Sequence, residues 1–132
     1  MFTAQIHQRF NDLDVLGHVN NVAYIEYLQE ARVQFLTSAG QVDFAEPGQV
    51  VAKMEITYRK PLGLNPSSLP IRIWPTRVRD TSYVLAYEIV NEVDEVAAEA
   101  STVMVVVDLA TGRPTAIPEQ LRSLLVDSIP TE

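Results

Sequence analysis

Between residues 50 and 58 the chain alternates without a break. Ala52, Met54, Ile56 and Tyr58 share one parity, and Lys53, Glu55, Thr57 and Arg59 share the other. That is the period of a strand with one buried face and one wet face. Three later runs read the same way: residues 69–79, residues 82–91 with Tyr83, Leu85, Tyr87 and Ile89 in phase, and residues 95–107 with their Val-rich end. Their β-branched and aromatic content suits strands, and the breaks at Asp80-Thr81 and Glu92-Val93-Asp94 predict hairpins. Pro75 cannot donate to a ladder, so an edge or a bulge is expected there. Residues 2–10 alternate more loosely, with Phe2, Ala4 and Ile6 against Thr3, Gln5 and His7, and predict a first strand.

The period changes in residues 20–39, a stretch without Gly or Pro that sets Tyr24, Leu28, Ala31 and Phe35 at i, i+4, i+7 and i+11. This is the apolar stripe of a long helix. Asn20 or Asn21 supplies its N-cap, and Gly40 fits its C-terminal stop. Residues 61–70, bounded by Pro61 and Pro70, read as a loop. Residues 118–126 read as a short helix with Pro118 at its first turn. A strand, a long helix and four more strands imply an α+β fold, an antiparallel sheet of about five strands packed on one long central helix, with a short C-terminal helix. The 132 residues, 47% of them apolar, suit one hydrophobic core and a single domain over residues 1–132.

Charge and cysteine usage narrow the chemistry. Ten basic against seventeen acidic side chains give a net charge of −7, which argues against nonspecific binding to nucleic acid or to an anionic membrane. The chain has no cysteine, so disulfides, thiolate zinc sites and a cysteine nucleophile are excluded. The segment MFTAQIHQRF lacks the charged head and apolar run of a signal peptide, and no run of eighteen apolar residues occurs; the expectation is a soluble, cytoplasmic protein.

The stretch from Arg9 to Tyr24 carries the candidate chemistry. Asp12, Asp14 and Gly17 lie just before the predicted helix N-terminus, where free amides and partial positive charge favour a developing oxyanion. A carboxylate beside polarising amides is a workable hydrolytic site. The same residue types also make ordinary turns. On turn chemistry Asp12 is assigned to orienting the loop, Asn20 and Asn21 to capping, and Gly17 to a positive φ or a close approach of substrate. His18 has only His7 as another histidine, with no spacing for a relay or a metal site, so its backbone is the expected contributor. Glu30 and Arg32 read as a structural polar pair or as interface contacts.

The string Asp12-x-Asp14-x-x-Gly17-His18-Val19-Asn20-Asn21-x-x-Tyr24, followed by Glu30-x-Arg32, resembles the signature of the 4-hydroxybenzoyl-CoA thioesterase family. The similarity continues in Tyr58-Arg59-Lys60-Pro61-Leu62, in Thr81-Ser82-Tyr83 and in Asp108-x-x-Thr111-Gly112-Arg113-Pro114. This resemblance implies a hot dog fold, in which a curved antiparallel sheet wraps the long helix. It implies a homodimer or homotetramer with active sites at subunit interfaces. It also implies hydrolysis of acyl-CoA thioesters, with acyl carrier protein thioesters as substrates of some members.

The family's catalytic aspartate falls on Asp14, acting as nucleophile or as the base that activates water. No metal and no organic cofactor is implied, coenzyme A being part of the substrate. Gly17, His18 and Val19 complete the catalytic set, with backbone amides of residues 18–20 polarising the thioester carbonyl. Tyr24 lies near the substrate, and Arg59 and Lys60, or alternatively Arg77 and Arg79, would meet the coenzyme A phosphates. Leu28, Phe35, Met54 and Trp74 are candidates for the acyl tunnel. Two competing readings are a hot dog hydratase or dehydratase, using Asp14 with His18, and a noncatalytic module that binds acyl thioesters.

Overall fold

A computed structural model describes residues 1–38 and 47–131. Five strands, β1 (Phe2–Ile6), β2 (Gly48–Tyr58), β3 (Leu69–Val78), β4 (Ser82–Val90) and β5 (Val96–Val107), form one antiparallel sheet in the order β1-β3-β4-β5-β2. Helix α1 (Asn21–Thr37) lies between β1 and β2 in sequence, and the short α2 (Glu119–Asp127) follows β5. This is the hot dog arrangement.

Helix α1 starts where its sequence supplies a cap. The Asn20 Oδ1 accepts the Ala23 amide at 3.0 Å, which satisfies one of the donors left free by the first turn. The predicted stripe of Tyr24, Leu28, Ala31 and Phe35 is buried along its whole length. It meets the inner face of the sheet, where Ala4, Ile6, Leu69, Ile71, Ile73, Tyr83, Leu85, Tyr87 and Ile89 are also buried. Gly40, the expected helix stop, lies outside the described residues. Helix α2 begins after Pro118 and packs on β3, burying Leu121 and Leu125.

Two expectations about strands are met in form and altered in detail. Pro75 sits at a register shift between Pro75 and Arg77 in the β3–β4 ladder, beyond the last residue that β1 pairs, so its missing donor breaks no bond of the regular ladder. β2 carries a second shift, between Val51 and Lys53, that leaves Ala52 without a partner on β5. A bulge of one residue reverses the parity beyond it. Val51, opposite the buried Met104, therefore shares the face of Met54, Ile56 and Tyr58, and Ala52 is the extra, unpaired residue.

The expected burial of one β2 face is also corrected. Helix α1 packs chiefly on β1 and β3, and on β2 Val51 and Tyr58 are exposed and Met54 and Ile56 only half-buried. Among the described residues β2 is an edge strand with no partner on its outer side. Trp74, a candidate for the acyl tunnel, alternates with the buried Ile73 and so occupies the face turned away from α1.

Candidate functional site

The segment between β1 and α1 is a tight turn hung from one buried carboxylate. A short 3-10 turn, Phe10–Asp12, brings Asp12 inward to 3% exposure. Its carboxylate accepts the Arg9 amide at 2.9 Å, the Arg9 guanidinium at 3.0 and 3.2 Å and the Tyr27 hydroxyl at 2.7 Å. Its carbonyl accepts both the amide and the side-chain NH2 of Asn20, at 2.8 and 2.9 Å. Burial alone would push the Asp12 carboxyl up, but the bonds from the Arg9 amide, the Tyr27 hydroxyl and the Arg9 guanidinium outweigh it and hold the group below the ordinary carboxylate range. The Tyr27 hydroxyl is pushed up, first by burial and then by its bond to Asp12. The structural role expected for Asp12 on turn chemistry is the one it has, with two side-chain partners added.

Past Asp12 the chain turns back on itself. Leu13 bridges Val19, the Asp14 amide donates to the His18 carbonyl at 2.7 Å, and the Gly17 amide donates to the Asp14 carbonyl at 3.1 Å. Gly17 has φ +79°, a conformation costly for a residue with a Cβ. Asp14 is exposed, and its Oδ1 accepts the amides of Leu16 at 2.9 Å and His18 at 3.2 Å. Val15 and Leu16 at the tip are exposed although apolar.

Beside this turn is a cleft of about 370 Å³. His18, Val19, Asn21 and Tyr24 form one wall, and Tyr58, Arg59, Lys60, Pro61 and Leu62 the other. Tyr24 and Tyr58 meet edge to face with ring centroids 4.9 Å apart. Burial, followed by the nearby Tyr58, raises the Tyr24 hydroxyl above its ordinary range. Five of the seven residues singled out from sequence, His18, Val19, Tyr24, Arg59 and Lys60, thus line one cavity. Asp14 abuts it through its bond to His18, and Gly17 lies on the same turn. Arg77 and Arg79 do not line it.

The amides assigned to the thioester carbonyl are corrected. The His18 amide is spent on Asp14, the Val19 amide on the Leu62 carbonyl at 2.7 Å, and the Asn20 amide on the Asp12 carbonyl. With Ala23 capped by Asn20, the donors at the helix start without an acceptor among the described residues are those of Asn21 and Val22. Arg59 pairs with Glu99 at 3.1 Å and Lys60 with Glu95, all four side chains exposed. Glu30 and Arg32 are no pair: Arg32 is buried and donates to the Tyr87 hydroxyl at 3.2 Å.

Sequence reasoning missed Gln8 and Tyr27. The buried Gln8 donates to the Gly63 carbonyl at 3.0 Å and accepts the Asn65 amide at 2.7 Å, pinning the loop after β2 beside the Asp12 turn. Tyr27, three residues from Tyr24, was hidden by looking like one more apolar position of the helix.

Comparison with known proteins places this geometry. Residues 8–125 match the model of the thioesterase-like superfamily. The chain is 33% identical to the long-chain acyl-CoA thioesterase FadM of Escherichia coli K12, over 92% of this chain and 94% of that one. A thioesterase from Thermus thermophilus, solved in complex with coenzyme A and Zn, is 30% identical with a TM-score of 0.79, covering 95% of this chain and 92% of that one. The PA5185 protein of Pseudomonas aeruginosa PAO1 superposes with a TM-score of 0.91 at 27% identity, over 99% and 93% of the two chains.

Proposed function

The chain belongs to the thioesterase-like superfamily, and from that premise we propose that it hydrolyses acyl-CoA thioesters to the free acid and coenzyme A, with Asp14 as the catalytic residue. The observation that carries the reading is the pairing of an exposed, backbone-oriented carboxylate with a cleft walled by a helix N-terminus. Two amides hold one oxygen of Asp14, which orients the group before substrate arrives.

In the base-catalysed form, Asp14 takes a proton from water as the water oxygen bonds to the thioester carbon. The carbonyl electron pair moves to oxygen, then returns as the C–S bond breaks and the thiolate leaves. In the nucleophilic form, Asp14 itself forms the new C–O bond, giving a mixed anhydride that water then cleaves. The free amides of Asn21 and Val22, at the positive end of the α1 dipole, are the donors for the tetrahedral oxyanion. Thiolate is a good leaving group, so neither a metal nor an organic cofactor is required.

Tyr24 bounds the acyl group at the cleft. Arg59 and Lys60 take the phosphates of coenzyme A by exchanging them for Glu99 and Glu95. The free edge of β2, with exposed Val50, Val51 and Tyr58, and the exposed Val15 and Leu16 beside Asp14, support a homodimer or homotetramer that closes the site. No described helix is long and apolar enough to cross a membrane, and a cytoplasmic place suits an enzyme of acyl-CoA.

Thiol release from short, long and aromatic acyl-CoAs, and from an acyl carrier protein thioester, tests the reading. Turnover that disappears in folded Asp14→Asn supports it; unchanged turnover removes Asp14 from the chemistry. Thioester bound without turnover by the wild type would make this a binding module.

A further inference from the structure

Arg32 lies in the fourth turn of α1 and is nine-tenths buried. One of its nitrogens donates to the Tyr87 hydroxyl at 3.2 Å, and that hydroxyl shares a 2.7 Å bond with Thr102. No carboxylate among the described residues pairs with it. A buried guanidinium with one neutral partner is an expensive arrangement, because its charge and its remaining donors have been taken from water without an anion in return. The same residue also borders open space.

That space is a hollow of about 150 Å³ between α1 and β2. Leu36, Val51 and Met104 give it apolar walls, and Gln29 and Gln49 line it together with Arg32. The Gln49 side-chain oxygen is itself engaged by the Tyr83 hydroxyl. The hollow therefore presents a fixed cation and side-chain donors at the end of an apolar recess.

The hollow and the cleft lie along the same two elements, α1 and β2. Tyr24 faces Tyr58 at one end of the seam between α1 and β2, and Arg32 stands near Gln49 and Val51 at the other. Between them Met54 and Ile56 on the inner face of β2 are half-buried and pack against the core. The eight residues from Tyr24 to Arg32 span roughly 12 Å of helix, which an extended chain covers in about ten bonds.

We propose that Arg32 receives a carboxylate at the far end of the acyl group, so that the preferred substrates are thioesters of medium-length acids bearing a second, terminal carboxylate. This rests on the thioesterase reading and deepens it. The apolar seam takes the methylene chain, and the guanidinium fork takes both oxygens of the distal carboxylate, an anionic partner that Arg32 does not have among the described residues.

The test compares a ω-carboxyacyl-CoA of about ten carbons with the plain acyl-CoA of the same length, in wild type, Arg32→Gln and Arg32→Lys. A charge-assisted bidentate bond should favour the ω-carboxy substrate about tenfold or more in kcat/KM in the wild type. Arg32→Gln should erase that preference while keeping turnover of the plain substrate, and Arg32→Lys should retain part of it. Turnover of both substrates by the wild type with no preference overturns the inference and leaves the thioesterase reading intact; a change of sedimentation in Arg32→Gln would then assign the guanidinium to a second copy.

If neither thioester is hydrolysed, the thioesterase reading fails, and the anion site is judged by melting. A free dicarboxylate of the same length should raise the wild-type Tm and leave Arg32→Gln unmoved, while the absence of any shift in the wild type overturns the site as well.

Discussion

Asp12 and Asp14 stand two residues apart on one turn and meet opposite surroundings. Asp12 is buried and saturated: four hydrogen bonds reach its carboxylate from Arg9 and Tyr27, and they keep it charged in spite of burial. Asp14 is exposed, with two backbone amides on one oxygen. A carboxylate whose acceptor sites are filled by its own protein can hold a loop in place but has little capacity left for a substrate. The reactive member of such a pair is the less satisfied one, and it depends on its neighbour for position.

That contrast can be broken from either side. Asp14→Asn should give the largest change, a loss of about 10² to 10⁴ in kcat, with stability within about 0.5 kcal/mol of wild type. A parallel fall in stability would show that the two carboxylates share a structural task. Asp12→Ala should reverse the pattern, costing about 3 kcal/mol in urea unfolding because Arg9 and Tyr27 lose a buried charged acceptor. Gly17→Ala probes the turn that joins them: open space surrounds its Cβ position, so the cost of about 1 kcal/mol comes from the positive φ alone. A larger loss would mean that the turn is packed more tightly than it stands here.

The smallest effect is in acid. Since the folded state depresses the Asp12 carboxyl, its contribution is complete above the unfolded value of about 4 and disappears as pH falls through the lower folded value. Asp12→Asn should therefore lose less stability than wild type between about pH 5 and pH 2. Equal acid slopes would sever the link between burial and charge drawn for this residue.

Much of this fold was legible in the chain because period and burial coincide. β4 is covered on its inner face by α1, so Tyr83, Leu85, Tyr87 and Ile89 announce both the strand and the core. β2 has an equally clear alternation, yet alternation says only which residues share a face, and whether a helix lies on that face is decided elsewhere. Its bulge leaves no Gly or Pro as a signal. Asp14, Tyr24, Arg59 and Lys60 could be picked out by motif, but the free amides could not, because the acceptor of the Val19 amide is Leu62, forty-three positions away. The Glu30–Arg32 pair could have been excluded at once, since residues two apart on a helix do not face each other.

The bulge at Ala52 has a consequence for solubility. A strand of eleven residues whose outer edge has no partner among the described residues, with Val50, Val51 and Tyr58 exposed, is a template onto which other chains can add without limit. The interruption divides that edge into two short stretches, twists one against the other, and sets Lys53 and Glu55 just beyond the break. A matching copy can meet the edge in one alignment and cap it, whereas an unrelated strand finds neither a long flat run nor a charge-free one. The edge is thereby open to assembly and resistant to aggregation.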